Sequence, residues 1–457
     1  MVEKLYKPSQ FNCFMTKEDG EILLYNTRTC SLYKITSDYS ETIEKQLISK
    51  TINENEITFP VLIKDGFFVP NHSDEVAILM KTFNDYYNNT ELTIMILPTH
   101  KCNCRCVYCY EDFNGEVMTS KTQENIIAFV KQRMRNCTSL HVSWFGGEPL
   151  VAMDVIRNLS LSFIEICKSE KKRYSADITT NGTLLNIDTF RELQKLRVIT
   201  FQITVDGTKE IHDMQRPLVN NDSSSYDLIV KNLLKLKTEV KSYGFRVYLR
   251  INLTKKTFLK IEDFIWEMDK MFGNDSRFQM SFDLAQDWGG VRIESFKDSI
   301  LTNDDEIENL YEQIKNVVKS TTLSTTDGYE EMSIAAGCYV SQNNYFTIDS
   351  SGRITKCAQE TRYNISSIGD LSNSIVIDDF EIAKWDSLNR IEIPDKCKKC
   401  FLLPRGCFRR SNCTLQLYVD KYLNNQAIAE PSCPGLKTNI NDYLVRWSYE
   451  GKAKQLQ

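Results

Sequence analysis

From residue 91 onward, runs of five to eight β-branched and apolar residues alternate with longer stretches in which apolar positions recur every three or four residues. The first pattern predicts strands and the second amphipathic helices. Strands are expected at 93–98, 140–145, 176–180, 199–205, 246–253 and 278–284, with helices near 120–136, 152–169, 187–196, 225–242 and 260–272. Ser120 and Gln123 read as a capping box that opens the first of these helices. Strands spaced by helices make right-handed βαβ units. The predicted fold class is therefore α/β, a partial (β/α)6 TIM-type barrel over 91–300. Chemistry in such a barrel collects at the C-terminal ends of the strands.

The flanks read differently. Residues 1–90 form a small α+β unit, winged-helix-like in pattern. Two or three short strands lie within 12–35 around a turn at Glu18-Asp19-Gly20, followed by a polar helix near 38–50. A helix end, a turn and a strand are expected over 59–69, and Ser73 is the expected N-cap of a closing helix. Residues 301–335 are a connector with an acidic helix at 303–320. Residues 336–436 lack long periodic segments, and 437–457 read as a C-terminal tail.

Composition narrows the class. The 457 residues are 42% hydrophobic and 26% charged, the balance of a soluble globular protein, and are enough for two or three domains. A net charge of −5 gives no general pull toward nucleic acid or anionic lipid, and no basic stripe suggests an RNA partner. No apolar run approaches the roughly 20 residues of a membrane span, and "MVEKLYKPSQF" lacks a signal-peptide core. A cytoplasmic location without nucleic-acid or membrane partners is expected.

Fifteen cysteines in a reducing compartment argue for metal rather than disulfides. Cys102, Cys104, Cys106 and Cys109 crowd one stretch, "HKCNCRCVYCYE". Cys338, Cys357, Cys397, Cys400, Cys407, Cys413 and Cys433 form a second set. Cys13, Cys30, Cys137 and Cys167 are expected to be small buried fillers. With four histidines in the chain, sites built from thiolates alone are favoured, either iron–sulfur or zinc. Cys102-x3-Cys106-x2-Cys109 leaves the first strand directly, and a structural zinc knuckle is its plain alternative. "GGEP" ends the second strand, "TNGT" the third and "DG" the fourth, so all these signals fall on one rim.

Cys102-x3-Cys106-x2-Cys109, with the aromatic Tyr108 before the last cysteine, resembles the signature of the radical S-adenosylmethionine superfamily. That resemblance implies a 4Fe–4S cluster held by Cys102, Cys106 and Cys109, with one iron open for S-adenosyl-L-methionine. It gives Cys104 no ligand role. It implies that Gly146, Gly147 and Glu148 receive the methionine amino group, Glu148 pairing with the ammonium. Thr204 becomes a candidate ribose contact and Asn181 a rim residue, while Arg216 and Asn252 are candidates for the methionine carboxylate or the adenosine. The implied chemistry is reductive cleavage to methionine and a 5′-deoxyadenosyl radical, which takes a hydrogen atom from the substrate.

The second cysteine set resembles the SPASM auxiliary-cluster domain. Cys338-x13-Gly352-x4-Cys357 matches the first half of its pattern. Cys397-x2-Cys400-x6-Cys407-x5-Cys413, then Cys433, follows the second half with two spacings lengthened. The resemblance implies two auxiliary 4Fe–4S clusters, one on Cys397, Cys400, Cys407 and Cys433 and one on Cys338, Cys357 and Cys413. A zinc-organised domain is the alternative.

Sulfatase maturases and maturases of ribosomally made peptides share this layout. The 90 residues ahead of the barrel resemble the unit with which peptide maturases hold a leader peptide, and an exposed strand edge could accept that leader. Sulfatase maturases carry an aspartate after the cysteine matching Cys357, where this chain has Ala358. The expected partners are a precursor peptide with a leader and an electron donor such as flavodoxin or ferredoxin. The expected product is a thioether or other crosslink. Formylglycine formation and a non-enzymatic, zinc-stabilised peptide-binding protein are the alternatives.

Overall fold

The computed structural model describes residues 4–111, 113, 115–220, 223–290, 292–326, 338–360, 365–388, 393–405, 413–427, 440–449 and 453–456. They fall into two compact units. One comprises 1–89, 331–343 and 383–457, and the other 90–330 and 344–382. Cys407 and Cys433 lie outside the described residues.

The early part of the first unit builds two small sheets. Strands β1 (Leu5–Pro8), β5 (Ile52–Asn53) and β6 (Phe68–Pro70) form one, and β2 (Asn12–Thr16), β3 (Ile22–Asn26) and β4 (Ser31–Ile35) form an antiparallel meander. Gly20, at φ +81°, makes the β2–β3 turn, in a conformation glycine adopts without penalty. Ile22, Leu24, Tyr33 and Ile35 alternate onto one face and pack with Ile43 and Leu47 of helix α1 (Ser37–Leu47). Helix α2 (Glu75–Tyr87) is capped by Asp74, whose carboxylate accepts the Ala77 amide at 2.9 Å. Ser73, the expected cap, lies one residue too early to reach that amide.

The second unit holds the expected strands: β7 (Glu91–Ile96), β8 (Ser139–Trp144), β9 (Arg173–Thr180), β10 (Val198–Thr204), β11 (Arg246–Leu253) and β12 (Phe278–Leu284). All pair in parallel and in consecutive order, the partial barrel read from the sequence. Two-residue β13 (Ser324–Thr325) extends the β12 side, and β14 (Tyr345–Ile348) joins the β7 side in parallel. The sheet then continues antiparallel through β15 (Arg353–Thr355), β16 (Gly369–Asp370) and β17 (Val376–Ile377). The crossover helices are α3 (Ser120–Met134), α4 (Met153–Ser169), α5 (Ile187–Lys195), α6 (Ser225–Glu239) and α7 (Ile261–Phe272). The α3 cap is Thr119, not Ser120. Thr119 is extended and its hydroxyl accepts the Thr122 amide at 3.1 Å, whereas Ser120 is already helical.

The strands are buried on one face only. Ile94, Val142, Ile178, Phe201 and Leu249 are fully buried. A buried side chain of this size contributes roughly 1.5–3 kcal/mol. The alternate positions, among them Thr93, His141, Asp177, Gln202, Tyr248 and Arg250, are polar and partly open. A fully covered parallel sheet would be apolar on both faces. This one leaves a polar inner face, where His141 Nε2 meets Asp177 at 2.6 Å and Arg250 reaches Asp283 at 3.4 Å.

The late part of the first unit returns to the meander. Helix α8 (Ile440–Tyr449) packs Leu444 against Leu23, Tyr25 and Leu32 on the face opposite α1. Strand β18 (Lys454–Leu456) pairs in parallel with β4. The β4 edge is therefore occupied by this chain. Of the four expected cysteine fillers, Cys137 and Cys167 are buried, but Cys30 is exposed at φ +59° in a turn.

Candidate cofactor site on the strand rim

The loop that follows β7 carries the four clustered cysteines and is tied to the rim by its backbone. Arg105 N donates to Pro217 O at 2.8 Å, Val107 N to Gln215 O at 3.0 Å, and Val219 N to Asn103 O at 2.9 Å. The segment after β8 supports the loop from below: Gly147 N donates to Thr99 O at 3.2 Å and Glu148 N to Lys101 O at 2.9 Å. Two glycines are required there. Gly146 sits at φ +112°, and a Cβ on it would lie 2.6 Å from Thr99 O. A Cβ on Gly147 would lie 2.5 Å from Lys101 O and would also strike the His100 carbonyl. The close approach these glycines make is to the cysteine loop itself.

Glu148 is fully buried. Its carboxylate accepts Thr180 Oγ1 at 2.7 Å, Asn181 N at 2.7 Å and Leu150 N at 3.0 Å. Burial pushes its pKa up to about 7 against the pull of those three donors, and the Cys102 sulfur adds to the rise. An ammonium group would supply the missing counter-charge. Asn181 Nδ2 donates to Asn103 Oδ1 at 2.8 Å and lies 3.9 Å from Cys102 Sγ, so the third strand's rim meets the cysteine loop directly.

Tyr108, Arg216 and Asn252 converge on one buried carboxylate that sequence reasoning missed. The Tyr108 hydroxyl donates to Asp206. Arg216 Nη1 donates to the Tyr108 oxygen at 2.6 Å and lies 3.7 Å from Asp206. Asn252 donates to Asp206 through its backbone at 2.8 Å and to the Tyr108 oxygen through Nδ2 at 3.0 Å. Asp206 N in turn donates to His212 Nδ1 at 3.0 Å. The signal available beforehand was the "DG" at the end of the fourth strand, placed on the rim with no role given to Asp206 itself. Thr204 ends β10, buried and paired across the ladder with Arg250.

The thiols differ in charge preference. The Cys104 thiol donates to the Cys102 sulfur and draws the Cys102 pKa down to about 6, with burial opposing and Arg216 helping. Burial raises Cys106, and burial with the neighbouring sulfurs pushes Cys109 up to about 12. The donor set is one a 4Fe–4S cube would suit: three soft thiols on one loop, a buried guanidinium beside them, and Gln215 and Arg216 Nε buried without hydrogen-bond partners among the described residues.

The second cysteine set is placed piecewise. In the second unit Cys357 is buried in a turn where Glu360 Oε1 accepts the Lys356 and Cys357 amides, each at 3.0 Å. Burial pushes Glu360 up to about 7. In the first unit burial, with a smaller part from nearby Cys413, raises the Cys338 pKa, and Cys397 joins Phe11, Leu79, Phe83 and Leu403 in a small core.

Residues 96–265 match the Radical SAM superfamily. The chain is 31% identical over 192 residues to the cysteine-type anaerobic sulfatase-maturating enzyme of Clostridium novyi, which spans 40% of this chain and 50% of that protein. The chain thus covers about half the length of this curated relative. The fold resembles that of anSMEcpe with bound AdoMet and Kp18Cys peptide, at a TM-score of 0.56 and 16% identity over 79% of this chain and 98% of that one. It also resembles Streptococcus suis SuiB bound to precursor peptide SuiA, at a TM-score of 0.51 and 16% identity over 91% and 97% of the two chains. Among the described residues no helix is long and apolar enough to cross a membrane. The loop, the GGE support and the strand rim all lie within residues 96–265, the stretch that matches the Radical SAM superfamily and part of which is similar to the sulfatase-maturating enzyme.

Proposed function

We propose that this chain is a maturase that installs a crosslink, first of all a thioether, on a ribosomally made precursor peptide. One observation carries the reading: the cysteine loop, Glu148, Asn181 and the Tyr108–Asp206–Arg216–Asn252 network meet at one rim above a polar inner face. Cys102, Cys106 and Cys109 would hold a 4Fe–4S cluster, which when bound supplies reductive cleavage of S-adenosyl-L-methionine. Glu148 would receive the ammonium, and Asp206 fixes the Tyr108 ring and Arg216 beside the cluster loop. The partly open His141, Asp177, Arg250 and Asp283 suit a polar peptide backbone. Cys338, Cys357, Cys397, Cys400, Cys407, Cys413 and Cys433 would hold two auxiliary 4Fe–4S clusters that accept the electron left after crosslinking, and a flavodoxin or ferredoxin would deliver the initiating electron.

The likeness to a sulfatase-maturating enzyme supports formylglycine formation as a second reading. Ala358 stands where that reading expects an acid. The test is anaerobic incubation with S-adenosyl-L-methionine, dithionite and candidate peptides, followed by mass spectrometry. The first reading predicts 5′-deoxyadenosine and a cysteine-containing peptide with the mass loss of a dehydrogenative crosslink. An aldehyde on a sulfatase-type peptide would support the second reading instead.

A further inference from the structure

Cys104 is the one member of the first cysteine cluster to which the superfamily resemblance gives no ligand role. It stands between Cys102 and Cys106 in a segment held extended by a partner segment. Val219 N donates to Asn103 O, Arg105 N to Pro217 O and Val107 N to Gln215 O, and Cys104 pairs with Leu218 in an antiparallel bridge. These contacts keep a single register, in which residues two apart share a face. Cys104 and Cys106 accordingly lie on one side, both buried.

Cys104 meets Cys102 twice. Its backbone amide donates to Cys102 Sγ at 3.4 Å, and its thiol donates to the same sulfur. Arg105 fixes the turn between them. Its Nη1 donates to Cys102 O at 2.7 Å and to Cys104 O at 2.8 Å, and its Cζ lies 4.5 Å from the Phe113 ring centroid. Cys104 is 1% exposed, so water has no access to the thiol. Two further donors converge on the same sulfurs. Asn181 Nδ2 lies 3.9 Å from Cys102 Sγ, and the buried Arg216 guanidinium keeps an Nε without a hydrogen-bond partner among the described residues. A sulfur bound to an iron–sulfur cube gains negative charge when the cube is reduced. Hydrogen bonds to it stabilise the reduced form, more strongly away from water, and raise the reduction potential.

We infer that Cys104 is a positioning residue of this loop, donating to Cys102 from its amide and its thiol, and that the thiol holds the reduction potential of the cluster above the value an apolar side chain would give. This role rests on the cluster ligands proposed above, Cys102 among them. The contact between the two cysteines does not.

Potentiometric titration of the oxygen-free, iron-loaded chain, read by electron paramagnetic resonance, needs no peptide substrate. Cys104→Ala removes the thiol donor, and Cys104→Ser keeps an O–H in its place. The midpoint of Cys104→Ala becomes more negative by at least threefold in the one-electron reduction equilibrium, about 28 mV at 59 mV per tenfold. Cys104→Ser stays within that factor of the unaltered chain. A smaller or opposite shift in Cys104→Ala, or a shift beyond that factor in Cys104→Ser, overturns the inference. Should Cys104→Ala fail to take up iron, Cys104→Val, which fills the space, is titrated instead. Should neither apolar variant load a cluster, iron content decides: full loading of Cys104→Ser supports the inference, and loss in all three overturns it. A Cys102→Ala chain that still holds a full cluster makes Cys104 the ligand and overturns it as well. No 4Fe–4S signal from the unaltered chain contradicts the proposed cofactor site itself, whereas a normal signal with an unmoved midpoint in Cys104→Ala overturns only the role of Cys104.

Discussion

The two cysteine regions are built on opposite terms. Cys102, Cys106 and Cys109 sit on one loop whose backbone is strapped to 215–219 on one side and to the GGE segment on the other, at the end of a strand paired on both edges. Cys338, Cys397, Cys400 and Cys413 belong to the first unit and Cys357 to the second, amid helices and strands of two to five residues. The first site is positioned by the fold before any metal arrives. On the function proposed above, the second would owe its order to bound metal, as small metal domains do.

Paired substitutions test this contrast with the largest expected effect. Cys106→Ala removes a ligand of the proposed cofactor cluster and lowers 5′-deoxyadenosine formation at least 100-fold. Cys357→Ser leaves that yield within a few-fold of the unaltered chain and abolishes the crosslinked peptide. Chromatography of the nucleoside and mass spectrometry of the peptide read both. Equal loss of nucleoside from both variants would mean that the two regions are not separable.

A smaller effect is expected from Gly147→Ala. The added methyl group meets the His100 and Lys101 carbonyls, so the loop must shift. Overpacking of this kind costs about 1–3 kcal/mol, visible as a lowered melting temperature together with reduced iron loading. Alanine at exposed Gly244, whose Cβ would meet nothing within 4 Å, is the neutral control.

The smallest effect is a pH dependence at Glu148. Its pKa in the fold, about 7, is above that of a free carboxylate, so its contribution to stability is fully present below pH 4.5 and is lost as pH rises through 7. Binding of an ammonium reverses the preference. Affinity for S-adenosyl-L-methionine should therefore rise up to about tenfold per pH unit as pH approaches 7, then level off. Equilibrium dialysis from pH 5.5 to 8 measures it, and Glu148→Gln flattens the profile.

The barrel was legible because its signals are local. Alternation in "TIMILP" and "LHVSWF" and the helical period between them place the strands within two or three residues of where they lie, and the cysteine loop follows. The polar inner face was equally visible in principle, as His141, Ser143, Asp177 and Thr179 at every second position. Asp206 was not, because its importance lies in partners 98, 10 and 46 residues away in sequence: Tyr108, Arg216 and Asn252. The same holds for β18, a three-residue strand paired with residues more than 400 positions earlier. The helix caps at Asp74 and Thr119 differ by one residue from the sequence reading, because Ser, Thr and Asp neighbours are equivalent as letters and only backbone geometry chooses among them.

Electron paramagnetic resonance of the anaerobically reduced chain, with and without S-adenosyl-L-methionine, tests the central claim most directly. The account predicts a reduced 4Fe–4S signal whose g values shift when the nucleotide is added and which is missing from Cys106→Ala. A spectrum indifferent to S-adenosyl-L-methionine, or zinc in place of iron on that loop, would contradict it.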